Sequence, residues 1–141
     1  MFKKFFKKSN KENMKDKNIL ITALLIHAAK IDENYTSVEK EIIKKALINL
    51  KAITPDKVEE LLKKAEIKEQ ESNQIIEFTR EIKKNSMEFR LEIVEILLKI
   101  IYSDGSSDNY ESNLIRRVCG LLYISDRDSG MIKIKVKNSL K

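Results

Sequence analysis

Two apolar stretches of the chain read alike: LLIHAAKID at residues 24–32 and ILLKIIYSD at residues 96–104. They are offset by 72 residues (104 − 32), and the match continues without a gap, since Glu39 pairs with Glu111. Each copy reads as an apolar helix, a short acidic loop and a second, amphipathic helix. Self-similarity at a fixed offset indicates a repeated structural unit. The sequence therefore predicts two copies of one helical hairpin.

The composition is that of a helical protein of one domain. The chain has 141 residues, of which 42% are hydrophobic and 35% charged, which is the globular range. It contains only three glycines and one proline, and apolar residues recur three and four positions apart instead of alternating. We therefore predict an all-α fold with a hydrophobic core.

Seven helices are predicted in a bundle of the two repeats. The repeats span about residues 19–66 and 87–138, are related by a pseudo-twofold axis, and are joined by a linker helix near residues 69–84. The predicted helices fall near residues 18–31, 37–52, 55–66, 69–84, 87–103, 109–123 and 127–138. In the linker helix, a stripe around Ile75, Ile76 and Phe78 fits either the core or a dimer surface.

Helix starts are marked by specific capping residues. Thr36 with Glu39, and Asp108 with Glu111, form the spacing of a capping box, in which each side chain bonds the other residue's backbone N–H. A Thr-Pro pair at residues 54–55 predicts a cap followed by proline in the first turn, where its missing N–H costs nothing.

The positive charge of the chain is concentrated at one end. The formal net charge is +6, and residues 1–18 account for +5 of it through seven lysines against Glu12 and Asp16. A duplex-binding domain is expected to carry its Lys and Arg on a folded face. We therefore expect no nucleic-acid partner, and we divide the chain into a basic tail and linker at 1–17 and a domain at 18–141.

The tail combines aromatic and basic side chains. Its first residues are Phe2, Lys3, Lys4, Phe5, Phe6, Lys7 and Lys8. The lysines interrupt the apolar stretch that a secretion signal needs, so we expect a cytoplasmic protein. The pattern indicates either a segment that binds anionic lipid at the inner face of the membrane or a merely solubilising terminus. The most apolar stretch, residues 19–29, is too short to span a bilayer.

The repeated motif resembles that of a known family. An apolar helix that ends in Asp, followed seven residues later by Glu, is similar to the motif of the TerB (tellurite-resistance protein B) family. The same domain type occurs in DjlA-like membrane-anchored co-chaperones. The resemblance covers residues 19–138 and is carried by residues 101–105 with Glu111 and by residues 29–32 with Glu39. It implies a helical domain without enzymatic activity, associated with stress or tellurite resistance.

The resemblance also implies a divalent-metal site in the acidic loops. Carried over by position, the candidate ligands are Asp32, Glu39, Asp104 and Glu111, with Asp108 and Glu33 as neighbours. Carboxylate oxygens suit hard cations such as Ca²⁺ or Mg²⁺, and Mn²⁺ and Zn²⁺ are the other candidates. Helix capping explains the two glutamates and Asp108 equally well. It explains Asp32 and Asp104 least, because a carboxylate at a helix C-terminus opposes the macrodipole.

Other reactive residues give no sign of catalysis. His27 is the only histidine and Cys119 the only cysteine, so the usual zinc sets are excluded. His27 pairs with Lys99 in the repeat, which places it off the core face. Cys119 pairs with Leu47, which predicts an inert thiol in the core. No glycine-rich phosphate loop is present, and we do not expect an enzyme.

Two functional hypotheses follow from different classes. The first is a TerB-like module of a stress response that binds a divalent cation through its paired acidic loops. The second is a protein-interaction domain, of scaffold or co-chaperone type, that is recruited to the membrane by its tail. In this second case a groove between the repeats receives a partner helix or peptide.

Overall fold

The computed structural model describes residues 17–30, 35–50, 53–72, 74–104 and 109–139. In these ranges the chain forms seven α-helices and no strand, which confirms the all-α prediction. The helices are α1 (17–30), α2 (Ser37–Asn49), α3 (Val58–Glu71), α4 (Ile76–Lys83), α5 (Met87–Ile101), α6 (Asn109–Leu121) and α7 (Asp126–Ser139), and a 3₁₀ turn (Tyr102–Asp104) follows α5. No helix of the described ranges is long and apolar enough to cross a membrane.

Helices α1 and α5 form the centre of the core. Helix α5 contacts α2, α4, α6 and α7. A helix that is apolar around most of its circumference must be surrounded by other elements, and both helices meet this condition. Their buried apolar residues are Ile21, Ala23, Leu24, Leu25, Ile26, Ala28 and Ala29 in α1, and Ile93, Val94, Ile96, Leu97, Leu98, Ile100 and Ile101 in α5.

The two halves agree in helix length and in burial. Helices α2 and α6 each have 13 residues, and their first residues, Ser37 and Asn109, stand at the offset that the repeat predicts. Equivalent positions of the central helices are equally buried, as for Leu25 and Leu97, which are both fully inaccessible to solvent. The pseudo-twofold relation of the halves in space stays a prediction.

The first capping box is present as predicted. The backbone N–H of Glu39 donates to Thr36 Oγ1 at 3.2 Å, and the backbone N–H of Thr36 donates to Glu39 Oε1 at 3.0 Å. These bonds satisfy two backbone donors at the start of α2. Asp108, the cap of the second box, lies outside the described residues.

The predicted Thr-Pro helix start is wrong. Helix α3 begins at Val58, and the backbone N–H of Lys57 donates to the Thr54 carbonyl oxygen at 3.0 Å, so residues 54–57 form a turn. The Thr54 side chain is hydrogen-bonded to the Asp56 carboxylate, and this bond lowers the pKa of the Asp56 carboxyl group. The hydroxyl is therefore used inside the turn and does not cap the helix.

The linker helix is shorter than predicted, because α3 continues to Glu71 and α4 begins only at Ile76. The side chains of Ile75 and Phe78 are 3% and 1% exposed, whereas that of Ile76 is 42% exposed. Of the two alternatives for this stripe, Ile75 and Phe78 therefore belong to the core. Only Ile76 is left at the surface.

Candidate functional site

Of the five predicted metal ligands, the structure describes the side chain of Glu39 alone. Asp32 and Asp108 lie outside the described residues, as do the side chains of Asp104 and Glu111, whose backbones are helical. The Glu39 side chain is 7% exposed and makes the capping box of α2. In the described part of the chain, no three His, Cys, Asp or Glu side chains are grouped to hold a metal ion. The metal site stays a prediction, as does the tail segment 1–8, which also lies outside the described ranges.

A polar cluster brackets the first acidic loop. Glu69 of α3 accepts from Lys30 Nζ at 3.0 Å, and its other oxygen lies 3.3 Å from His27 Nδ1. On the far side of the loop, the Tyr35 hydroxyl donates to Glu66 at 3.4 Å. Lys30 and Tyr35, the described residues on either side of 31–34, are therefore both bonded to α3. Partners 31 to 42 residues apart in sequence cannot be found from local spacing.

Tyr35 is the most perturbed side chain of this cluster. Burial, followed by the charge and hydrogen bond of Glu66, raises the pKa of the Tyr35 phenol above its usual range. The ammonium groups of Lys40 and Lys30 lie 4.7 and 5.9 Å from the ring centroid. Because the phenol has a higher pKa in the folded than in the unfolded state, the folded state holds its proton more tightly. We therefore expect the free energy of unfolding to be unaffected by Tyr35 below about pH 10 and to decrease as the pH rises further.

Tyr123 stands in a conformation that usually requires glycine. Helix α6 ends in a Schellman motif: the N–H of Ile124 donates to the Cys119 carbonyl oxygen at 2.9 Å and that of Tyr123 to Gly120 at 3.3 Å. Tyr123 therefore has a φ of 58°. Lys83 Nζ donates to its hydroxyl at 3.0 Å and lies 4.2 Å from the ring centroid, and this hydrogen bond lowers the pKa of the phenol.

The two tyrosines should be separable by a spectrophotometric pH titration of the folded protein. We expect Tyr123→Phe to remove the earliest part of the tyrosinate absorbance change, because the ammonium group of Lys83 stabilises the phenolate of Tyr123. Tyr35→Phe should remove the latest part, because burial and Glu66 disfavour that phenolate. Loss of the same part of the curve in both variants would contradict these assignments.

A groove lies between α2 and α5, with α7 at its edge. Its apolar floor consists of Ile42 and Ala46 of α2, Leu50 at the C-cap of α2 and Ile96 of α5, and its volume is about 500 Å³. Ile42, Ala46 and Leu50 recur four positions apart, so this side of the groove presents one apolar stripe of about two turns, and α5 adds the single apolar residue Ile96.

The rim of this groove is charged. Lys135 of α7 pairs with Glu95 of α5 at 2.8 Å. Lys45 of α2 and Lys99 and Glu92 of α5 also line the groove, and no ion pair within the described ranges involves any of the three. Both lysines are exposed. The groove therefore combines an apolar floor with a rim whose unpaired groups, among the described residues, are two cations and one carboxylate.

The described helices define an all-α domain built around two apolar central helices. A comparison with protein families agrees, because the family described as Tellurite resistance protein TerB matches residues 18–134. Since this match covers most of the chain, the chain belongs to the TerB family. Comparisons with curated proteins and with solved structures found no match.

Proposed function

We propose that this chain is a non-enzymatic binding module of the stress and tellurite-resistance type, and that the groove between α2 and α5 receives a helix of a partner protein. The proposal rests on the apolar stripe formed by Ile42, Ala46 and Leu50, together with Ile96 of α5 on the other side of the groove. A helix that lies on two neighbouring helices packs its own apolar stripe between theirs.

The chemistry of the groove defines the partner. A stripe of about two turns accommodates apolar side chains at positions i, i+3 or i+4, and i+7 of the partner helix. Lys45 and Lys99 favour acidic side chains beside that stripe, because opposite charges across an interface increase both specificity and association rate. The partner is therefore an acidic amphipathic helix.

Selection from a displayed library of helical peptides tests this function. We expect selected peptides to carry the apolar spacing with flanking Asp or Glu. Lys45→Glu combined with Lys99→Glu should weaken their binding on the order of tenfold, or about 1.4 kcal/mol. The matched control is Lys63→Glu with Arg116→Glu, which makes the same charge change at exposed positions of α3 and α6. Equal affinities of the two double variants would rule out the groove.

A divalent cation at the acidic loops is the second candidate function. Asp104 is the last residue of the 3₁₀ turn that continues α5, where a carboxylate opposes the helix macrodipole. Capping thus gives no reason for an acidic residue at this position. Membership of the TerB family supports the same residues as ligands, namely Asp32, Glu39, Asp104, Asp108 and Glu111.

Calorimetric titration of Ca²⁺, Mg²⁺, Mn²⁺ and Zn²⁺ tests the metal hypothesis. We expect saturable binding to the wild type and its loss in Asp32→Asn with Asp104→Asn, because one ligand carboxylate of each loop is replaced by a neutral amide. The control is Asp56→Asn with Asp128→Asn, which removes the same charge elsewhere. An absence of binding heat in the wild type would return the acidic residues to helix capping.

Recruitment to the inner face of the membrane is proposed for the tail. The side chain of Lys17, the first described residue, bonds Asn85 and lies 5.5 Å from the centroid of the Phe89 ring. Removal of residues 1–16 keeps these contacts. Co-sedimentation with anionic vesicles should be lost in the shortened protein, and unchanged sedimentation would refute the proposal.

A further inference from the structure

A second apolar recess lies on another side of the domain, between the first turns of α1 and helix α3. Two adjoining hollows share Ile19 and Lys64, and the larger of them has a volume of about 470 Å³. Their apolar walls are formed by Ile19 and Leu20 of α1, by Leu61 and Ile67 of α3, and by Ile53. None of the residues that form the floor of the α2–α5 groove lines this recess.

The outer wall of the recess is an exposed apolar surface. Ile67 is 58% exposed, and it lines the recess together with the half-buried Ile19 and Leu20. Single exposed apolar side chains are common on protein surfaces, but here Ile67 adjoins Ile19 and Leu20 in one hollow with a charged rim, and an apolar patch rimmed by polar residues is typical of a docking surface.

We propose that this recess is covered by the aromatic segment of the same chain, with Phe2, Phe5 and Phe6 packed against α1 and α3. The proposal is independent of the partner helix in the other groove. The same aromatic rings cannot lie in the recess and in a membrane at once, so docking and membrane binding exclude each other.

The geometry places the segment within reach. Asn18 and Ile19 themselves line the recess, immediately after Lys17. Phe6 lies eleven residues before Lys17, and a chain of that length can span up to about 36–40 Å when extended. The recess follows α3 from Lys57 to Glu71, a distance of about 21 Å at the helical rise. The aromatic residues can therefore reach every part of it.

The chemistry of the segment matches the recess. The three phenylalanines fall on one side of a helical turn and would bury their rings, while the four neighbouring lysines stay at the rim. The two hollows are lined by three glutamates and three lysines, so their rim has no net charge, and the match with the segment is carried by the apolar walls. Glu60 pairs with Lys64 and Glu77 with Lys68, and no ion pair within the described ranges involves Glu71, which leaves one carboxylate for a lysine of the segment. Because the segment belongs to the chain, its effective concentration reaches the millimolar range, which favours it over a separate ligand.

Tryptophan fluorescence tests this proposal in the full chain. The protein has no tryptophan, so Phe5→Trp introduces a single reporter. We expect this tryptophan to be protected from acrylamide quenching, relative to a peptide of residues 1–16 with the same substitution. The protection should be lost when Ile67→Asp is added, because a carboxylate in the wall of the recess disfavours the rings.

The matched control is Ile134→Asp on α7, whose side chain is 64% exposed against 58% for Ile67. It should leave the protection intact, and the far-ultraviolet circular dichroism of both variants should show that the helices are retained. The proposal is overturned if the full chain gives no protection, or if protection survives Ile67→Asp. It is also overturned if protection disappears on dilution, which would show that a second copy supplies the aromatic segment.

Discussion

Replacement of Phe78 by alanine should lower the free energy of unfolding by about 3–5 kcal/mol, the usual cost of removing a buried aromatic ring. Phe78 is 1% exposed and lies in α4, which contacts both α5 and α6. The eight residues of α4 are too few to form a stable helix alone. Loss of this side chain therefore leaves a cavity and weakens the attachment of the whole helix.

Urea denaturation followed by circular dichroism measures this effect. The control is Ile76→Ala in the same helix, which is 42% exposed and should change stability by less than about 1 kcal/mol. A similar loss in both variants would mean that α4 does not direct Phe78 into the core. A small loss of stability in both variants would instead favour the other interpretation of the stripe around Ile75, Ile76 and Phe78, namely a dimer surface.

The second large effect is expected from the central helices. Leu25→Ala in α1 and Leu97→Ala in α5 should each reduce stability by about 3 kcal/mol, within the 2–5 kcal/mol range for buried leucines. Both side chains are fully inaccessible to solvent, and they occupy equivalent positions of the repeat. Each truncation removes the same number of methylene and methyl groups from an equally closed environment.

Comparison of the two leucine variants also probes the relation between the halves. Equal losses in the free energy of unfolding would agree with equivalent roles for α1 and α5. Ile134→Ala, at a position 64% exposed, serves as the control and should have little effect. A loss below about 1 kcal/mol in either leucine variant would contradict the burial of that position.

The sequence predicts the helices well where local signals agree. The apolar stripes of α1 and α5 determine which faces are buried, and the Thr36–Glu39 capping box marks the start of α2 within one residue. The prediction that Cys119 lies in the core is also confirmed, since it is 4% exposed. These features depend on residues only a few positions apart, so periodicity and capping chemistry are sufficient to find them.

The sequence is less informative where the outcome depends on distant contacts. The polar run before Ile75 does not reveal where α3 ends, and the usual glycine signal for a helix end is misleading in α6. Gly120 lies inside that helix, whereas Tyr123 adopts the left-handed conformation at a cost on the order of 1 kcal/mol. Lys83 of α4 lies over its ring, a contact that local spacing cannot predict.

The candidate sites also differ in how far local sequence signals predict them. Sequence spacing identifies the acidic loops, but their ligand geometry depends on how two distant segments meet in space. The α2–α5 groove was expected only in general terms, as a cleft between repeats. Its charged rim depends on Lys135 reaching Glu95 across helices α7 and α5, and no motif in the sequence encodes that pairing.

Burial of the single thiol makes this domain well suited to site-specific labelling. Burial raises the pKa of Cys119, so little of the reactive thiolate is present at neutral pH and alkylating reagents have little access to it. A cysteine placed at an exposed position such as Asn49, on the rim of the groove, would react far faster than the native thiol. Fluorophores or spin labels could then report on the groove of the otherwise unaltered protein, with Cys119 left in the core.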